Sequence, residues 1–375
     1  MKVWICSVNI SKTFGFSKKR TQNFKALKRI AIIYVLIATF LTICNSAYSQ
    51  QSTHSDTITI VAVGDIMYGS IFPDRSYLPP NENYKGFLDE VKPYFNGDIV
   101  FCNMEGVLAD TLVPECCPFC FGMPSVFANG YKEAGFNLIS VGNNHANDFR
   151  QYGRENTAKV LDKMGFNWAG YATKPSCTFT INGIKYGFCA FSPNTAIAYL
   201  HDKQLVANTI KALRKNCDIV IVSMHCGGEG KKYRHLTRKD DYYIEQNRGN
   251  AYQFAHDAID NGADIVLGHG PHVTRAIEIY KGKFIAYSMG NFFTYNTINI
   301  NDEMGLAPIF RFKVSAITGN FISGEIISTY QSKPNKGPHI DPQKRVLKII
   351  QELTAADIYD NLPRISNDGK VLPPK

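Results

Sequence analysis

Asp264-Ile265-Val266-Leu267-Gly268-His269-Gly270-Pro271-His272-Val273 is an apolar run ending in a Gly/Pro loop that carries two histidines three positions apart. The run reads as a buried strand, and the loop holds its two imidazoles as a rigid pair of donors. In an open α/β sheet, ligands bind outside the carboxyl ends of the strands. A polar motif at that place is therefore a candidate site. Four further apolar runs end in the same way. Thr57–Val63 leads into Gly64-Asp65, and Asp98–Phe101 into Cys102-Asn103-Met104-Glu105. Asn137–Val141 leads into Gly142-Asn143-Asn144-His145-Ala146-Asn147-Asp148, and Asp218–Met224 into His225-Cys226-Gly227-Gly228-Glu229.

Helical patterns separate these strands, at Tyr84–Tyr94, Ser125–Ala134, Tyr152–Met164, Lys203–Lys215 and Tyr242–Asn261. Strands alternating with helices predict βαβ units and a parallel sheet covered on both faces. Hairpin signals interrupt the pattern. Asn182-Gly183 joins Cys177–Ile181 to Ile184–Phe191, and Lys281-Gly282-Lys283 joins Ala276–Tyr280 to Phe284–Ser288. Thr318-Gly319-Asn320 joins Ile309–Ser315 to Phe321–Thr329. The sum predicts a mixed α/β fold of two packed sheets flanked by helices, over residues 57–330. Residues 331–375 read as a C-terminal loop (Ser332–Gln343), a short helix (Lys344–Thr354) and a Pro-containing tail.

Each motif has a plain structural reading beside the functional one. Gly64-Asp65 is also an ordinary turn. Asn103 and Glu105 share a face of an extended segment, where either could be a ligand, or a capping Asn and a solvent-facing Glu. Asn144 or Asp148 could cap the next helix, which leaves His145 unexplained. His225 could be a satisfied core histidine, and Cys226 a buried thiol rather than a thiolate. Imidazole suits zinc, iron and similar divalent ions, and carboxylate and amide oxygens complete such coordination spheres. The functional reading makes a shared prediction that independent structural readings do not require: all these residues meet at one rim of the sheet.

Composition bounds the rest. Residues 1–49 hold eight Lys and Arg and no Asp or Glu, so the net charge of +9 falls to +1 beyond them. The high pI therefore belongs to this segment and excludes nucleic acid as an expected partner. Its basic stretch, the apolar run Ile30–Ile43 and the small residues Ala47 and Ser49 form the pattern of a cleaved signal peptide. Secretion, or export to the periplasm or cell envelope, makes PECCPFCFG readable as one or two disulfides among Cys116, Cys117 and Cys120, with Cys102 nearby.

GDIMYG (64–69), FCNMEG (101–106), VGNNHANDF (141–149), HCGGEG (225–230), GHGPHV (268–273) and YSMGNFF (287–293) follow one another along the chain. In that order they resemble the CapA-type capsule synthesis proteins, a poly-γ-glutamate capsule biosynthesis family of the calcineurin-like metallophosphatase superfamily. The resemblance implies a four-layer α/β/β/α sandwich with two divalent metal ions, of manganese, zinc or iron. Asp65, Glu105, Asn144, His225, His269 and His272 would be the metal ligands. His145, Asp148 and Glu229 would be the catalytic residues, with His145 as general acid. The sequence departs from the superfamily at Met67, where a histidine is usual, at Glu105, where an aspartate is usual, and in the wider spacing of His269 and His272. An exported metal-dependent hydrolase of capsule or envelope polymer is implied, acting on phosphoester or γ-glutamyl/amide linkages. The alternative is a non-catalytic assembly or export factor binding an anionic polymer or its precursor beside membrane-bound capsule synthesis proteins. Lys231-Lys232-Tyr233-Arg234-His235 and Arg238-Lys239 would line its cleft or form a solvated loop.

Overall fold

The computed structural model describes residues 28, 30–35, 37–39, 56–113, 119–194, 196–296, 298–333 and 337–375. Two compact units divide the chain at His54/Ser55. In the first, the described residues are helical, and no helix among the described residues is long and apolar enough to cross a membrane.

The second unit begins with β1 (Thr57–Met67), β2 (Ile99–Met104), the short β3 (Val107–Leu108) and β4 (Gly122–Met123), then α1 (Ala128–Ala134) and β5 (Leu138–Ser140). It continues through α2 (Arg150–Lys163), β6 (Asn167–Ala169), β7 (Ser176–Ile181), β8 (Ile184–Phe191), α3 (Lys203–Asn216) and β9 (Ile219–His225). Next come β10 (Asp241–Tyr243), β11 (Gln246–Gly249), α4 (Ala251–Asp260), β12 (Ile265–His269), β13 (Ile277–Tyr280) and β14 (Lys283–Ala286). The remainder is β15 (Asn291–Thr294), β16 (Leu306–Ser315), β17 (Phe321–Gln331), β18 (Pro338–Ile340), α5 (Arg345–Asp357), β19 (Arg364–Ile365) and β20 (Lys370–Leu372).

One sheet runs β19-β20-β17-β16-β1-β2-β5-β6, with β15 against β1 and β18 against β17; the other runs β13-β14-β12-β9-β8-β7. The period-two alternation of β1 shows how they stack. Ile58, Ile60 and Ala62 meet Phe188, Ile221 and Ile265 of the second sheet. Val61 and Val63 face the opposite way, into a core shared with Tyr131 of α1 and Leu161 of α2. On the far face of the second sheet, Val220, Val222 and Val266 pack with Ile210 of α3 and Ala255 of α4. The order of layers is helix, sheet, sheet, helix, the mixed α/β sandwich that the sequence implies. Asp264, at the entry to β12, joins strand ends by accepting from Val220 N (2.8 Å), Arg214 (2.6 Å) and Lys283 Nζ (2.7 Å).

Three local expectations need correction. Tyr84–Tyr94 holds turns and a 3-10 turn at Lys92–Tyr94, since Gly86 takes a positive φ and Pro93 interrupts any helical hydrogen-bond ladder. Tyr242–Asn261 is helical only from Ala251, because Asn250 caps α4 through Gln253 N. Before it, Ile244 and Glu245 both adopt positive φ and turn the chain into the β10–β11 hairpin. The stretch read as loop and tail carries β18 and β20, which pair with β17, and β19, which pairs with β20.

Candidate metal centre

The parallel strands deliver the predicted residues to one rim. Asp65 lies near the end of β1, in register with Asn103 of β2 and Asn291 of β15. Register shifts on either side of Asp65 bend β1 and re-aim that side chain, as bulges do beside functional sites. In the second sheet His225 ends β9 and His269 ends β12, opposite each other in the ladder. Glu105 follows β2, and Asn144 and His145 follow β5. His272 stands in the loop after β12 with φ +56°, in the left-handed region that is uncommon for non-glycine residues. Gly270 lets this loop close on β9, since a methyl there would sit 3.1 Å from Cys226 N and 3.3 Å from the His225 ring.

These side chains form one buried polar cluster. His272 Nδ1 donates to Asp65 Oδ2 (3.0 Å) and Asn291 Oδ1 (2.9 Å). Asn103 Nδ2 donates to Asp65 Oδ1 (2.8 Å) and Glu105 Oε2 (2.5 Å). Asn143 donates in turn to Asn103 Oδ1 (3.1 Å) and to Met104 O (2.8 Å). His269 Nδ1 is 3.2 Å from Asp65 Oδ1 but poorly aligned for a hydrogen bond, and His225 Nδ1 is 3.9 Å from Glu105 Oε2.

The charges are set by burial and by each other. Burial raises the Asp65 carboxyl, but His269 and His272 outweigh it and hold the group far below the usual carboxylate range. Glu105 goes up to about 7, first by burial and then by the Asp65 charge. Burial would depress His272, yet its bond to Asp65 and the carboxylates nearby raise it to about 9. His225, buried without a bonded partner, is pushed well below its ordinary value. Asp65 therefore keeps its charge and His225 stays neutral, the forms in which each binds a metal ion.

The loop after β5 completes the rim. His145 Nδ1 donates to Asp148 Oδ2 (2.7 Å), which also accepts from Phe121 N (2.8 Å). The Phe121 ring stacks on His145 at 3.9 Å. Burial alone would lower the imidazole, but Asp148 more than compensates and raises it. A cavity of about 510 Å³ opens here, walled by Asn144, His145, His272, Glu229, Arg248, Phe121 and Ile298.

The model of the family described as "Bacterial capsule synthesis protein PGA_cap" matches residues 59–296. The chain belongs to that family. It is 26% identical over 315 residues to the PGA biosynthesis protein CapA of Bacillus subtilis, covering 73% of each chain. It is 24% identical over 304 residues to the capsule biosynthesis protein CapA of Bacillus anthracis, covering 74% of this chain and 69% of that one. Among solved structures it is similar to a novel phosphatase of Mycoplasma pneumoniae, with 17% identity and a TM-score of 0.48 over 77% of this chain and 96% of that one.

In this PGA_cap family member the donor set suits divalent ions, by the test of orphaned atoms. Glu105 Oε1, Asn144 Oδ1 and both ring nitrogens of His225 and His269 are buried with no hydrogen-bond partner among the described residues. Burying such a group unpaired costs about 1–3 kcal/mol, and a metal ion would satisfy them together. Among the described residues no three His, Cys, Asp or Glu side chains stand ready around a common point. Asp65 instead draws in the two histidine rings that an ion would compete for.

Several residues escaped the sequence reading or change role. Asn291 lies in the YSMGNFF motif, but its bond to His272 depends on the pairing of β15 with β1, which no local pattern reveals. Met67 is a buried core residue whose sulfur accepts from Gly69 N (3.2 Å). Burial pushes the Cys226 thiol up to about 12, which keeps it protonated in the metal-free protein. Cys102 is a free, buried thiol and takes no part in a disulfide. Cys120 is disulfide-bonded, while Cys116 and Cys117 lie outside the described residues. The basic run Lys231–Lys239 is largely spent within the fold. Arg234 bonds Glu303 (2.9 Å) and Glu352 (3.0 Å), His235 bonds Asp357 (2.9 Å), and Arg238 stacks on Tyr252 and Tyr359.

Proposed function

We propose that this capsule synthesis family member is an exported, metal-dependent hydrolase of capsule or envelope polymer, cleaving phosphoester or γ-glutamyl/amide linkages. The observation that carries the reading is the set of buried, unpartnered metal donors gathered at the carboxyl ends of parallel strands from two sheets. Asp65, Glu105, Asn144, His225, His269 and His272 would hold two divalent ions, of manganese, zinc or iron. Ions bound there supply Lewis acidity and lower the pKa of water toward neutrality. The protein's own contribution is proton transfer and positioning. Asp148 fixes the Nδ1 proton of His145, which leaves Nε2 to give a proton to a leaving group. The raised pKa of His145 keeps that proton available near neutral pH. Glu229 reaches the same cavity as a substrate contact or a further acid/base group. Residues 1–49 act as the signal peptide, placing the mature chain in the periplasm or cell envelope beside membrane-bound capsule synthesis proteins.

A second reading, a non-catalytic binder of anionic polymer, is favoured by Met67, which stands where the resemblance leads one to expect a histidine. One experiment separates the two. Manganese-loaded protein should hydrolyse bis-p-nitrophenyl phosphate or γ-glutamyl-p-nitroanilide, lose the activity to chelator and regain it with metal. His145→Ala should lower kcat by about 100-fold or more while metal content stays unchanged. Loaded protein that turns over neither substrate would support the binder.

A further inference from the structure

Arg248 is the cation that the sequence did not single out. The residue is only 6% exposed and its guanidinium lies 5.5 Å from the Tyr243 ring centroid, yet Nε and Nη1 have no hydrogen-bond partner among the described residues. Among the described residues its side chain makes one hydrogen bond, from Nη2 to Glu229 Oε1 (2.8 Å). A guanidinium with free donors is costly to bury, because charged groups withdrawn from water need hydrogen-bonded partners. This one lines the same cavity as Asn144, His145 and His272.

The backbone holds it there. Arg248 lies in β11, where its carbonyl accepts from Gly227 N (2.9 Å) of the loop that follows His225. On the other side Gln246 Nε2 donates to Asn194 Oδ1 (2.8 Å), and Asn194 donates to Asn144 O (2.8 Å). The hairpin is therefore tied to two of the loops that carry candidate ligands. At its tip Ile244 is 82% exposed and also lines the cavity mouth. The strand holds the guanidinium in the cavity wall with Nε and Nη1 buried and unsatisfied, an arrangement suited to recruiting an anion.

We infer that Arg248 reads a carboxylate on the substrate, beside the bond presented to the metal centre; this rests on the hydrolase reading above. Local charge selects the anion. Glu229 already places one negative charge on the guanidinium, so a second carboxylate can share it, whereas a phosphate dianion would meet Glu229 with twice the repulsion. Phe121, Ile298 and Ile244 on the walls suit the methylene groups of an acidic side chain. Arg248 thus makes the cavity specific for an acidic chain and leaves metal uptake to other residues.

The test is calorimetric titration of manganese-loaded wild type, Arg248→Gln and Arg248→Lys, with manganese content measured on each. The probes are an N-acetylated γ-glutamyl trimer, the same trimer with every carboxylate converted to amide, and inorganic phosphate. The acidic trimer should bind wild type and lose about 10-fold or more in Arg248→Gln. Arg248→Lys should recover part of that loss. The amide trimer should bind all three proteins alike, and phosphate should not respond to the substitutions. Equal loss for acidic and amide trimers would reduce Arg248 to a structural partner of Glu229 and overturn the inference. So would a loss confined to phosphate, or none in the presence of normal manganese. A wild type that takes up no manganese would instead overturn the hydrolase reading.

Discussion

Asp65→Asn should weaken divalent metal binding by more than about 100-fold, beyond the range for residues that merely orient ligands. It should also abolish a pH trend in the metal-free protein. In wild type, His272 is raised from 6.5 to about 9, chiefly by its bond to Asp65. A histidine raised on folding stabilises fully below its unfolded pKa and loses that contribution as pH rises through the folded one. Metal-free wild type should thus lose about 3 kcal/mol of stability from this pair between pH 6.5 and 9. Asparagine removes the charge that raises His272, so that decline should vanish in the variant. Relief of repulsion between Asp65 and Glu105 acts in the same direction, because Glu105, raised to about 7 by burial and the Asp65 charge, also loses stabilisation as pH rises toward that value. Urea unfolding in chelator at the two pH values, together with manganese titration, provides the check. Equal slopes for wild type and variant would refute the pairing.

The second large effect is steric. A methyl on Gly64 would sit 1.9 Å from Gly290 O and 2.7 Å from Met289 O, both backbone atoms that cannot rotate aside. Asp65 N donates to the same Gly290 O (2.9 Å), so β1 and the chain entering β15 are in direct contact there. Gly64→Ala must push them apart, at a cost of about 3 kcal/mol for overpacking a tight site. The displacement would also pull Asp65 from Asn291 and His272. We expect thermal unfolding to fall by roughly 5–10 °C and metal affinity to fall with it. An unchanged melting temperature would show that the close approach is absent in solution.

Most of the fold was legible because its signals are local. The alternation in β1, the apolar runs before His225 and His269, and the Asn182-Gly183 turn each follow from neighbouring residues. The hairpin of β10 and β11 was hidden, since Tyr242-Tyr243 fits a helical face as well as a strand. Only Asn250, a capping residue, marks where α4 begins. The polar rim was legible for a different reason, as strand direction alone carries the end of each apolar run to the same edge. Arg248 and Asn291 were not. Whether a cation is spent or free depends on partners distant in sequence. The conspicuous run around Arg234 proved to be neutralised by Glu303, Glu352 and Asp357, while a solitary arginine kept its donors.

The central claim is that this rim is a dinuclear metal centre, and elemental analysis of the purified mature protein tests it most directly. Metal content after dialysis against manganese, zinc or iron should approach two ions per chain in wild type. It should fall sharply in Asp65→Asn and stay at the wild-type level in Arg248→Gln. A wild-type content near zero would contradict the account and leave a polar cluster that binds polymer without metal.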